Sequence, residues 1–78
     1  MKHQLIDQLQ HADDSCRSTF TRLINESILH LNLSDKEVGE MFDISRISVR
    51  RWTEGRNVPT RSVRSAIYRC LIEEIKND

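Results

Sequence analysis

The sequence predicts an all-α fold, and three observations carry that prediction. One proline and two glycines in 78 residues are too few for the tight turns of an all-β chain. Apolar residues recur at helical spacing, so that in several stretches they fall on one stripe at about 100° per residue. Residues that cap helices stand at the ends of those stretches. A chain of this length makes one domain, here 1–78, with a small core.

Each element follows from its own pattern. Residues 1–14 read as a short N-terminal extension in which Leu5, Ile6 and Leu9 share one side of a helix. Residues 15–31 read as a longer helix with Cys16, Phe20, Leu23, Ile24, Ser27 and Leu31 on its inner stripe. Asp13, Asp14 or Ser15 caps its start, and Asn32 suits its end. Ser34-Asp35-Lys36-Glu37 reads as a capping box: the serine hydroxyl accepts from the Glu37 amide and the glutamate reaches back. The helix that it opens runs to about Phe42, with Val38, Met41 and Phe42 inward. Asp43-Ile44-Ser45 then breaks the helix, and Ser45 caps another that runs to about Glu54, with Val49 and Trp52 on its inner face. Gly55 suits a left-handed end. After the loop Arg56-Asn57-Val58-Pro59, Thr60 opens a last helix within 60–76. Val63, Ala66, Ile67, Cys70 and Leu71 form its expected core stripe. Tyr68, Ile72 and Ile75 lie on an adjoining face, assigned to a dimer contact, and Glu74 is expected to end the packed part near Leu71.

Composition narrows the function. Apolar residues make up 37% and charged residues 31%, a globular balance. With one Trp, one Tyr and two Phe, a large aromatic-lined substrate pocket is not expected. No apolar run is long enough to cross a bilayer and MKHQLIDQLQ has no signal-peptide core, so the expectation is a cytoplasmic protein without a membrane partner. Cys16 and Cys70 are too few and too far apart for a disulfide framework or a zinc site, and both are expected in the core. His3, His11 and His30 have no ligand spacing and read as surface residues. No metal, cofactor, activated nucleophile or carboxylate pair is implied, which argues against an enzyme.

The net charge is zero, but it is polarised. Residues 1–44 carry four basic and eight acidic side chains, and residues 45–78 carry eight basic and four acidic ones. Residues 45–69 contain seven arginines and one acid, Glu54. A partner responds to the local field, not to the total. Arginine presents a rigid fork of donors suited to phosphate and to guanine.

Two short helices joined by a break of about three residues make a helix-turn-helix over 34–54. In such a unit the first helix braces against the DNA backbone and the second enters the major groove. Residues 45–54 fit the second role: Val49 and Trp52 dock it, while Arg46 and Arg50 share an outer face beside a row of Ile47 and Arg51. An apolar Ile47 on that face suits a thymine methyl. Arg61 and Arg64 stand in the first turn or so of the last helix, where positive charge opposes the helix dipole, and phosphate contact would account for them.

The stretch LSDKEVGEMFDISRISVRRWTEGRNVP resembles the helix-turn-helix of Cro and the phage repressors, the xenobiotic-response-element type. The likeness covers residues 20–71 and rests on the capped LSDKE start, the apolar pattern Val38, Phe42, Ile44, Val49 and Trp52, and the WTEGRNVP ending. It implies a compact, lambda-repressor-like bundle of four to five helices, homodimeric binding to inverted repeats in double-stranded DNA, and control of transcription. It also implies roles. Ser34, Asp35 and Lys36 fall at backbone-contacting or edge positions, and Arg46, Ile47 and Arg51 at base-reading ones. Ser45 and Ser48 fall where hydroxyls meet phosphate or bases, Arg50 on the flank, and Arg56 and Asn57 in a loop that touches the backbone. Gly39 replaces the usual alanine, Asp43 the usual glycine of the turn, and Thr53 a common glutamate.

The expected function is therefore sequence-specific DNA binding, with repression by occlusion of a promoter. Arg46, Ile47 and Arg51 would read bases, and arginines 50, 51, 56, 61 and 64 would anchor phosphates. A second reading is an antitoxin or adaptor on a helix-turn-helix scaffold, its main partner a protein; the acidic first half and the extra apolar face of the last helix would serve it.

Overall fold

The computed structural model describes residues 2–78. They form five α-helices: α1 Lys2–Gln10, α2 Arg17–Leu31, α3 Asp35–Phe42, α4 Arg46–Thr53 and α5 Arg61–Lys76. No strand occurs among the described residues, and no helix among them is long and apolar enough to cross a membrane. The radius of gyration is 11.3 Å.

Local chemistry sets the helix ends. The Ser34 hydroxyl accepts from the Glu37 amide at 3.1 Å, and the Glu37 carboxylate accepts from the Ser34 amide at 2.9 Å. The Ser34 amide, with the Ser34 hydroxyl beside it, holds the Glu37 carboxyl below its ordinary value. Ser45 caps α4 by accepting from the Ser48 amide at 3.1 Å. Three helices end on a left-handed residue: Asn32 (φ 55°) after α2, Asp43 (φ 56°) after α3 and Gly55 (φ 75°) after α4. In each, the amide of the next residue reaches back five positions: Leu33 to Ile28, Ile44 to Gly39 and Arg56 to Arg51. This closes carbonyls that the helix leaves open.

The capping of α2 corrects the sequence reading. Its N-cap is Cys16, not Asp13, Asp14 or Ser15. Asp13 instead folds onto its own turn, accepting from the Ser15 amide at 3.0 Å. Cys16 is half-buried, and hydrogen bonds from Ser18 and Thr19 pull its thiol down to about 7. Cys70 is also half-buried rather than core, and burial pushes its thiol up. Thr60 opens α5 as expected, without a side-chain cap bond.

The core is built on α2. Phe20, Leu23 and Ile24 are fully buried and meet Trp52 of α4 on one side and Ile67, Tyr68, Leu71 and Ile75 of α5 on another. The N-terminal segment completes it: Leu5 and Leu9 of α1 join the same cluster. Lys2 Nζ donates to the Lys76 and Asp78 carbonyls at 3.4 and 3.2 Å, so α1 runs antiparallel to α5.

That packing overturns the expected face of α5. Tyr68 and Ile75, assigned to a dimer contact, are 4% and 0% exposed within one chain, and Ile72 is half-buried against the same core. The packed part therefore continues to Ile75, and Glu74 is exposed. Val63 (44% exposed) and Ala66 face outward instead, over a groove of ≈ 360 Å³ shared with Phe42, Ile44 and Cys70. The physical reason is α1, whose apolar side covers one of two competing stripes on α5. His30 also departs from expectation: it is half-buried, its Nε2 3.5 Å from an Asp78 carboxylate oxygen.

Gly39 packs where a side chain has no room. A Cβ there would lie 2.7 Å from the Ile44 carbonyl oxygen, so the tight α3–α4 connection rests on the missing side chain. Asp43, by contrast, holds a left-handed conformation that glycine adopts without strain. Asp43→Gly is expected to stabilise the fold by about 0.5–1 kcal/mol, read as a higher urea midpoint at constant slope. It also removes a negative charge from the end of α3, where the helix dipole is negative. A second expectation concerns the thiols. Iodoacetamide should modify Cys16 well before Cys70, its rate rising with pH through a midpoint near 7. Equal rates by mass spectrometry would contradict this.

Candidate nucleic-acid interface

The Trp52 indole positions the arginine-bearing helix. Its ring meets Phe20 edge-on, with centroids 5.6 Å apart, and Phe42 at 6.3 Å. Val49, one turn earlier on the same face, is fully buried. Asn25 of α2 adds a polar fastening: its Nδ2 donates to the Thr53 carbonyl at 2.9 Å and to the Thr21 carbonyl at 2.8 Å. It thereby satisfies one of the open carbonyls at the end of α4. With its inner face held by these contacts, α4 turns Arg46, Ile47, Arg50 and Arg51 to solvent.

A groove of ≈ 470 Å³ lies between the start of α3 and the outer side of α4, lined by Ser34, Asp35, Lys36, Arg46, Ile47 and Arg50. Six residues singled out from the sequence thus come together, although they lie in two stretches separated by the turn. Ser45 and Ser48 stand at the start of α4, their hydroxyls 3.1 Å apart. Arg51 lies on the same outer side, one turn beyond Ile47. Arg56 and Asn57 are exposed in the loop after α4, with both amides directed at the Arg51 carbonyl.

The arginines differ in what they are already bonded to. Arg50 lies 3.6 Å from Asp35, and Arg56 lies 3.3 Å from Glu54. Both pairs are exposed and weak, on the order of 0–1 kcal/mol. Arg46 and Arg51 have no hydrogen-bonded or ionic side-chain partner among the described residues. They flank Ile47, which is 64% exposed.

Arg61 and Arg64 do not belong to this surface. Arg64 is 7% exposed. Its Nε donates to the Asp14 carbonyl at 2.9 Å and its Nη1 to the Pro59 carbonyl at 2.6 Å. Arg61 pairs with the Asp14 carboxylate at 2.7 Å, and Ser65 donates to the other carboxylate oxygen. Their position against the dipole of α5 is thus balanced inside the chain, by a residue 47 to 51 positions earlier. No local spacing signals such a partner. The same holds for Asn25, 28 positions from Thr53.

No group of three or more His, Cys, Asp or Glu side chains among the described residues is placed to hold a metal ion. No protein-family model, curated protein or solved structure matches the chain.

The Asp14 junction gives a stability prediction. Bonds from Ser65 and Arg61 lower the Asp14 carboxyl below the ordinary aspartate value. The unfolded chain then binds more protons, so this stabilisation is complete above that value and is lost as pH falls through the lower, folded one. Asp14→Asn should lower the urea midpoint at pH 7, and its gap from the parent chain should close below roughly pH 4. Arg64→Ala should cost about 2 kcal/mol, because it removes two charge-assisted bonds from a buried site. A pH-independent gap for Asp14→Asn would contradict the junction.

Proposed function

We propose that the chain is a sequence-specific binder of double-stranded DNA in which α3 and α4 form a helix-turn-helix of the Cro and phage-repressor kind. One observation carries the reading. On an α4 whose inner face is locked by Val49 and Trp52, two arginines without internal partners flank an exposed isoleucine. Arginine forks match the O6 and N7 acceptors of guanine in the major groove. The roles divide by geometry. Arg46 and Arg51 read bases, and Lys36, Arg50, Arg56 and Asn57 meet phosphates along the flank. Ser34 and Ser45 cap the helices that approach the backbone, with Ser48 beside Ser45. Asp35 pairs with Arg50 at 3.6 Å at the edge of the groove, a weak contact that phosphate would replace.

Two copies related by a two-fold axis would set two α4 helices about one DNA turn apart, ~34 Å, on an inverted repeat. Occlusion of a promoter by such a pair is repression. The Arg64 contact expected with phosphate forms no part of this reading, because that side chain is buried and bonded to the Asp14 and Pro59 carbonyls; Arg61, exposed but paired with Asp14, lies outside the groove between α3 and α4.

The test is selection of duplexes from a randomised library at near-physiological salt. An enriched inverted repeat bound by two chains supports the reading. Binding without enrichment that vanishes as salt rises means generic phosphate affinity. No binding without a second protein favours the adaptor reading. On the selected duplex, Arg46→Ala should cost about 1–3 kcal/mol and relax preference at one base per half-site. Lys36→Ala should weaken all duplexes alike and lower the salt slope by about 1. Identical behaviour of the two variants would overturn the division of roles.

A further inference from the structure

Cys16 is the N-cap of α2 and is half-buried. The opening amides of a helix have no partner within it, and the positive end of its dipole faces the cap. A thiol placed there is held toward its thiolate, the nucleophilic form. The Ser18 hydroxyl lies 3.3 Å from Sγ, and hydrogen bonds from Ser18 and Thr19 favour the ionised sulfur.

Tyr68 of α5 meets the same place. Side chains on a helix lean toward its N-terminus, so Tyr68 reaches over the turn that carries Arg64 and Ser65, where Asp14 is bound. Its ring centroid is 5.9 Å from that of Phe20, one turn into α2 from Cys16. The hydroxyl is thus directed at the segment 14–16, and charge on Cys16 and Asp14 acts on it. Tyr68 is 4% exposed, and among the described residues its hydroxyl has no hydrogen-bond partner. A buried donor left unpaired is costly. Burial pushes the phenol up, so it keeps the proton that it would donate.

We propose that Cys16 is a modification site for hydroperoxides, oxidised reversibly to a sulfenic acid whose new oxygen accepts a hydrogen bond from Tyr68. The thiolate attacks one peroxide oxygen. The S–O bond forms as the O–O bond breaks, and the electron pair leaves with the other oxygen, which takes up the proton that the thiol gave to solvent. Sulfur loses two electrons and the peroxide gains them. Small thiols reverse the step: one forms a mixed disulfide with loss of water, and a second displaces it to free Cys16. The site stands apart from the groove between α3 and α4 and does not depend on the DNA-binding reading. Cys70 supplies the contrast within the same chain, since burial and the nearby Glu74 disfavour its thiolate.

The experiment exposes the full chain to hydrogen peroxide at pH 7, traps sulfenic acid with dimedone at timed intervals and reads both cysteine peptides by mass spectrometry. Cys16 should be trapped roughly tenfold faster than Cys70, and a small thiol should return it to the reduced form. After the peroxide is removed with catalase, the trappable Cys16 signal should decay about tenfold faster in Tyr68→Phe, the size expected for one lost hydrogen bond to a charged or strongly polar oxygen. The same variant should keep the parent's rate of first oxidation, its iodoacetamide rate and its circular dichroism, because the ring and its packing remain. Equal trapping of the two cysteines overturns the site. An unchanged lifetime in Tyr68→Phe overturns the part assigned to the hydroxyl.

Discussion

The direction in which α4 faces depends on the Trp52 indole. It sits between Phe20 and Phe42, so one ring joins α2, α3 and α4. A small domain has little apolar area to spend, and aromatic rings concentrate what there is. Val49 below and the Asn25 amide at the helix end remove the remaining freedom. Once α4 is fixed about its axis, the outward placement of Arg46, Ile47, Arg50 and Arg51 follows from helical geometry alone. The tight α3–α4 connection serves the same end, since Gly39 lets the Ile44 carbonyl approach α3 closely.

A second junction lies at the start of α5. The Asp14 carboxylate and carbonyl bind Arg61, Ser65 and Arg64, and so tie the α1–α2 loop to the start of α5. The buried Arg64 also clasps the Pro59 carbonyl just before that helix. Charge in this protein is thus put to two uses. One set of arginines is neutralised in place and holds the fold. Another set, Arg46 and Arg51, keeps its donors free. A count of seven arginines in 45–69 does not distinguish them, and a structural pair and a solvent-facing pair have very different chemistry.

The proposed reading of DNA rests on that second set and on what lies between them. Asp35 and Glu54 temper the flanking arginines at distances of 3.6 and 3.3 Å, where water screens them strongly. Such pairs exchange readily for phosphate. An uncharged, rigid Ile47 amid these cations adds a contact that electrostatics alone does not supply, and it is the part of the surface that responds to shape and apolarity.

The features legible along the chain are local. The Ser34 and Glu37 box, the Ser45 cap and the left-handed ends at Asn32 and Gly55 all join residues within five positions of each other, so short motifs suffice to reveal them. The docking face of α4 was legible too, because Val49 and Trp52 are its only large apolar residues apart from Ile47. Tertiary structure decided the rest. Helix α5 carries two apolar stripes that share Ile67 and Leu71. Periodicity cannot say whether Val63, Ala66 and Cys70 or Tyr68, Ile72 and Ile75 are covered. The antiparallel α1 settles it by burying Tyr68 and Ile75. Likewise, Arg64 reads as a surface cation until Asp14, 50 residues earlier, is brought beside it. Burial of a face and capture of a charge depend on which distant segment arrives there, and that is a property of packing, not of spacing along the chain.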